Sequence, residues 1–154
     1  GARVGAAVTA KAQSLFHSDK DHPPTTIQQF GTMKADQLTG LGIDGGKTPL
    51  EIYGFAGNDV ITTVGNADIS LFGGDGLDTF RIGKGTPILI RDLQPGESIQ
   101  IQANDLSNPS DLQRLNLSSS DLGNNFTDLQ LNGRVLAHLD GTWSLGQIQL
   151  GIWS

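Results

Sequence analysis

Gly54, Gly57 and Asp59 recur nineteen residues later as Gly73, Gly76 and Asp78, and no other feature of the 154-residue chain restricts its fold as much. The same step carries Ile61 onto Phe80, and Leu50 and Ile52 onto Ile69 and Leu71 and then onto Ile88 and Ile90. One step further on, Asp59 and Asp78 reach Glu97, and Ile61 and Phe80 reach Ile99. A unit of this length with two short apolar stretches describes a coil of two short strands and two turns, stacked so that each coil covers the next. Alternation within each stretch sends Leu50 and Ile52 to one face and Glu51 to the other, as a half-buried strand requires. Before residue 45 the pattern fades, and after Asn104-Asp105 it stops.

The flanks read differently. In residues 1–18, Val4, Ala7, Val8, Ala12, Leu15 and Phe16 fall at helical spacing, which predicts an amphipathic helix ended by the charged and proline-rich stretch up to Pro24. That helix either packs against its own domain or grips a protein partner. At the other end, Asn108-Pro109 predicts a helical turn with proline at its first position. The stretches around Leu129-Gln130-Leu131 and Val135-Leu136-Ala137-His138-Leu139, joined by Asn132-Gly133, predict a hairpin, because Asn-Gly supplies the positive φ of a tight turn. This section is expected to cap the open end of the stacked coils, whose last coil would otherwise expose an unpaired edge. The expected organisation is therefore a helix and linker over 1–24, a coil region over 25–104 and a capping β region over 105–154, folding as one unit.

Composition narrows the function classes. Glycine supplies 21 residues, about twice the usual share of ~7 %, which argues for many turns. A net charge of −6 sets nucleic acid and anionic membranes aside as partners. With no cysteine there are no disulfides, thiolate sites or cysteine nucleophiles, and no apolar run is long enough to span a bilayer. No grouping of nucleophile, base and orienting residue suggests an enzyme. His138 falls at an exposed strand position, and Trp143 and Trp153 read as seals on a core edge, with a sugar-stacking surface as the other reading.

Each turn of the repeat needs glycine where φ is positive and where a Cβ would crowd an ion, and each ends on a carboxylate. Calcium takes six to eight oxygens from carboxylates and backbone carbonyls, and two such turns stacked one coil apart can supply them. The stretch Gly73-Gly74-Asp75-Gly76-Leu77-Asp78-Thr79-Phe80-Arg81 resembles the nonapeptide G-G-x-G-x-D-x-U-x of the RTX, or hemolysin-type calcium-binding, repeat family at every defined position. Residues 54–62 are similar but carry Phe55 where the second glycine is expected. Residues 90–99 also resemble the segment that ends such arrays in secreted members.

The resemblance implies an all-β fold: a short parallel β-roll, or β-solenoid, of about three to four coils, here with the N-terminal helix and a C-terminal β-hairpin cap. Carried over position by position, it implies a calcium site formed by the side chains of Asp59 and Asp78 and the backbone carbonyls of Gly54, Ala56, Gly74 and Gly76, with Asp75 at the rim. A second site would use Asp92 and Glu97, although Pro95 stands at a glycine position. The expected function is a non-enzymatic calcium-binding module that folds or rigidifies on binding the ion, in an extracellular or cell-surface protein. The alternative is a docking domain of a larger assembly, with helix 1–18 contacting the partner.

Overall fold

The computed structural model describes residues 26–41, 48–64, 68–83 and 87–154, so the expected helix over 1–18 lies outside the described residues. Among the described residues twelve strands follow in chain order: β1 (Ile27–Phe30), β2 (Gln37–Leu41), β3 (Leu50–Tyr53), β4 (Val60–Val64), β5 (Ile69–Phe72), β6 (Thr79–Ile82), β7 (Ile88–Ile90), β8 (Ser98–Gln102), β9 (Leu115–Ser120), β10 (Gly123–Leu131), β11 (Arg134–Asp140) and β12 (Gln149–Trp153). The first eight alternate between two sheets, odd strands in one and even strands in the other. Within each sheet these strands pair in parallel.

Register follows the repeat. Leu50 pairs with Ile69, Leu71 with Ile90, and Ile61 with Phe80, which pairs in turn with Ile99. Because side chains alternate across a strand, Leu50, Ile52, Ile69 and Leu71 from one sheet and Ile61, Phe80, Ile82, Ile99 and Ile101 from the other all enter one buried cluster. Gly40 on β2 lies so close to Ile52 on β3 that a Cβ would collide with it, which fixes how near the two sheets approach. On the outer face of the odd-strand sheet, Tyr53 and Phe72 stack at 4.4 Å and Phe30 lies 5.2 Å from Tyr53.

The architecture expected for the chain is corrected by its C-terminal third. Residues 105–154 do not form a hairpin set over the end of a β-roll. Instead β11 pairs in parallel with β7 and β12 in parallel with β8, so both sheets continue. Beyond β11, β10 and β9 extend the odd-strand sheet by antiparallel pairing, giving a mixed sheet of seven strands beside a parallel sheet of five. The physical reason is that the edges left by Ile88–Ile90 and Ser98–Gln102 carry free ladder groups, which a parallel strand satisfies more completely than a hairpin laid across them. The β10–β11 hairpin does turn at Asn132 and Gly133, with φ of 52° and 83°. The helical turn expected after Asn108 is a 3-10 turn over Pro109–Arg114, with Asn108 and Asp111 capping each other's backbone. No helix among the described residues is long and apolar enough to cross a membrane.

Candidate metal centre

Between each of the first four odd strands and the even strand that follows it, the chain makes a short turn on the same side of the molecule, at residues 31–36, 54–59, 73–78 and 92–97. In the second and third turns the backbone enters the left-handed region at two equivalent positions: Phe55 (φ 66°) and Gly57 (φ 98°), then Gly74 (φ 81°) and Gly76 (φ 103°). The turns lie directly on one another. A Cβ on Gly74 would strike the Phe55 carbonyl oxygen, and one on Gly76 would strike that of Gly57. Only glycine allows this approach, and it leaves the Phe55 and Gly57 carbonyls facing the next turn.

Behind these carbonyls runs a ladder of acids. The Asp36 N–H donates to Asp59 Oδ1 at 2.8 Å, the Asp59 N–H to Asp78 Oδ1 at 2.9 Å, and the Asp78 N–H to Glu97 Oε2 at 2.9 Å. Asp59, Asp78 and Glu97 are each 1 % exposed. Glu97 Oε1 accepts the Gln94 N–H at 2.7 Å, so both of its oxygens are engaged. Asp92 accepts the Gly73 and Gly74 N–H groups at 2.7 and 2.8 Å, one on each oxygen. The second oxygens of Asp59 and Asp78 differ: among the described residues, Asp59 Oδ2 and Asp78 Oδ2 are buried with no hydrogen-bond partner. A Cβ at Gly54 would sit 2.5 Å from Asp59 Oδ2, and Gly73 stands in the same relation to Asp78 Oδ2.

Such burial is costly for the charged form. It pushes the Asp59 carboxyl up to about 6, against the Asp36 N–H that favours the anion and with help from the neighbouring Asp78 charge. Asp78 is pushed up to about 8, again by burial first, with the Glu97 carboxylate adding to the effect. Burial raises Glu97 as well. Among the described residues, this stack of carboxylates one rung apart makes no ion pair with a positive side chain.

The oxygens the sequence assigns to the first site fall as follows. Asp59 and Asp78 occupy successive rungs of one buried column, and Gly54, Ala56, Gly74 and Gly76 belong to the two stacked turns. Asp75 is exposed at the rim. Asp92 and Glu97, assigned to the second site, direct all four carboxylate oxygens at backbone N–H groups. Among the described residues no group of three or more His, Asp or Glu side chains is gathered as a ligand cluster. A ladder with one acid per rung does not make such a cluster.

Three features escape the sequence pattern. The turn at 31–36 is a further rung, since Gln37 pairs with Val60 and Ile27 with Leu50, a step of twenty-three residues that hides it from a nineteen-residue search. The carbonyls of Phe55 and Gly57 face the next turn, a direction that only the stacking reveals. His138 is half-buried, with Nδ1 2.6 Å from Oδ1 of the buried Asp128 on the neighbouring strand. Compared with family models, with curated proteins and with solved structures, the chain matches none.

Proposed function

We propose that this chain is a calcium-binding module whose stacked turns are tied together by the ion, working outside the cell where calcium is abundant. One observation carries the reading: Asp59 Oδ2 and Asp78 Oδ2 are fully buried, have no hydrogen-bond partner among the described residues and lie beside glycines on adjacent rungs. A buried carboxylate oxygen without a donor or counter-charge costs several kcal/mol, a cost that a cation would remove. The donor set is oxygen throughout, carboxylates and peptide carbonyls, which suits a hard ion that tolerates irregular coordination.

Asp59 and Asp78 would hold the ion through their free oxygens, with backbone carbonyls of residues 54–57 and 73–76 completing the set. Calcium supplies two positive charges that offset the two buried anions. What the chain itself contributes is prepayment of geometry: Gly57, Gly74 and Gly76 already adopt the left-handed conformation, and the Asp ladder is already aligned by the Asp36 and Asp59 N–H groups. The module has no catalytic role in this reading. At a hundredfold excess of calcium over its Kd, linkage predicts about 2.7 kcal/mol of added stability. For a chain of this size that corresponds to roughly 5–10 °C in melting temperature. Melting followed by far-ultraviolet dichroism, with calcium, with magnesium and with chelator, tests this; identical curves in all three conditions would refute it.

A further inference from the structure

A second concave site lies away from the turn column, where β9 and β10 separate. Ser120 pairs with Gly123, but the next pair is Ser119 with Thr127, so β10 carries three extra residues, Asn124, Asn125 and Phe126, opposite β9. A bulge of this size pulls the strands apart and redirects side chains, as bulges beside binding sites do. The opening forms a cleft of about 340 Å³ between the bulge and the segment after β11. That volume lies at the lower end of small-ligand sites.

Its wall is built rather than incidental. Trp143 packs against the core and lines the cleft, and both its indole and its backbone are hydrogen-bonded in place. The indole N–H donates to the Asp140 carbonyl at 2.9 Å, and the Trp143 backbone N–H donates to Thr127 Oγ1 at 3.2 Å. Thr127 in turn donates to the Gly141 carbonyl at 2.7 Å. Gly141, at φ 105°, sits so close that a Cβ would lie 3.1 Å from the indole nitrogen, so any other residue there would press on the ring. Phe126 supplies a second aromatic surface.

Around these rings stand Ser119, Asn124 and Thr142, all exposed, whose side chains make no hydrogen bond among the described residues. No lining residue is ionisable. A tryptophan ring fixed by its own hydrogen bond, with Phe126 also lining the cleft and free hydroxyl and amide groups but no charge around it, matches a ligand with apolar C–H faces and a rim of hydroxyls. We infer that this cleft binds a neutral pyranose, stacked against Trp143 and hydrogen-bonded by Asn124, Thr142 and Ser119. A charged sugar finds no counter-ion there, and a purely apolar ligand would leave the three polar side chains desolvated and unpaired.

The test uses the full chain in calcium-containing buffer with methyl glucoside, methyl galactoside and methyl mannoside as probes, and glucuronate and uridine as comparators. Saturation-transfer difference NMR should show transfer to the ring C–H protons of at least one neutral glycoside, with the Trp143 indole N–H resonance shifting and that of Trp153 staying fixed. The double variant Asn124→Ala, Thr142→Ala changes only exposed side chains, so it should keep the native spectrum while weakening binding about tenfold. Trp143→Phe, which keeps a ring but shortens it, should weaken binding as well. Absence of transfer to every glycoside at tens of millimolar overturns the inference. So does binding untouched by the double variant, or binding of glucuronate or uridine in preference to the glycosides.

Discussion

At residues 54–59 and 73–78 a buried aspartate keeps one oxygen without a partner among the described residues, whereas at residues 31–36 and 92–97 both oxygens of the equivalent acid are engaged. The outer turns achieve this by different local chemistry. Thr32 gives Asp36 both its backbone N–H, at 2.6 Å, and its hydroxyl, at 2.9 Å. Glu97 has one more methylene than aspartate and reaches the Gln94 N–H. The third turn cannot copy the first, because the Gly74 N–H, equivalent in position to that of Thr32, is drawn to Asp92 instead. Under the proposed function, a column satisfied at its ends and unsatisfied in its middle would take the cation at one place. That localises the proposed ion between Asp59 and Asp78 more narrowly than the motif alone does.

The comparison breaks most visibly where the middle turns touch. Gly74→Ala puts a Cβ into a left-handed residue and against the Phe55 carbonyl. The conformational term is about 1–2 kcal/mol and overpacking adds about 1–3 kcal/mol. The variant should therefore melt well below the parent by thermal dichroism, with or without calcium. Gly133→Ala, also at positive φ but with nothing within 4 Å of its Cβ, should lose only the conformational part.

Next in size is the ion itself. Asp78→Asn keeps an oxygen to accept the Asp59 N–H while removing the charge. It should abolish the calcium-dependent shift of about 2.7 kcal/mol and leave the fold intact. Glu97→Gln should do the reverse: it retains the calcium response but strands one of two backbone N–H groups, lowering baseline stability by about 1–3 kcal/mol. Isothermal titration beside thermal melting separates the two outcomes, and a calcium response lost equally in both variants would dissolve the distinction between middle and outer turns.

Without calcium the same column sets a pH dependence. Asp59 and Asp78 hold protons in the folded state up to about pH 6 and about pH 8, whereas in the unfolded chain they release them near the ordinary aspartate value of 3.8. The folded state therefore binds more protons across that window, so its stability is greatest at the acid end and is lost as pH rises through both folded values. The chelated protein should melt at progressively lower temperature from pH 5 to pH 8, with the trend reduced in Asp78→Asn. Saturating calcium should flatten or invert the slope, because the ion competes with the proton for the same oxygens.

What could be read from the residues alone divides along physical lines. The nineteen-residue register was legible because identical steps place like residues in one column, and each apolar column must be buried. The rung at Gly31 and Asp36 was hidden because the connection before β3 is four residues longer, which shifts the step without altering the pairing. The C-terminal third was misread as a separate cap because the residue pattern marks strands only around 129–131, 135–139 and 148–150, misses β9, and does not give their neighbours: Ala137 pairs with Ile88 and Gln149 with Ser98 across about fifty intervening residues. Asp59 and Asp78 were identifiable as a facing pair from spacing. The satisfaction of Asp92 and Glu97 by main-chain donors was not, since no side-chain pattern encodes where a backbone N–H points.

The smallest effect tests why the two middle turns are not identical. Phe55 stands at φ 66°, where its counterpart is Gly74, and a bulky residue in that region is strained by about 1–2 kcal/mol. Its ring stacks on Phe30 at 5.3 Å with planes 12° apart and lies 6.4 Å from Tyr53, extending the aromatic file on the outer sheet face. Such contacts are each worth about 0.5–1.5 kcal/mol, so they offset the backbone strain almost fully. Phe55→Gly should accordingly change the melting temperature little and leave calcium affinity intact, because glycine keeps the carbonyl that faces Gly74. The double variant with Phe30→Ala separates the two terms. With Phe30 absent, the stack no longer compensates, and Phe55→Gly should become stabilising by about 1 kcal/mol. If instead it destabilises in that background, the aromatic stack is not what holds Phe55 in the left-handed region, and the departure of the first turn from the glycine pattern has another cause.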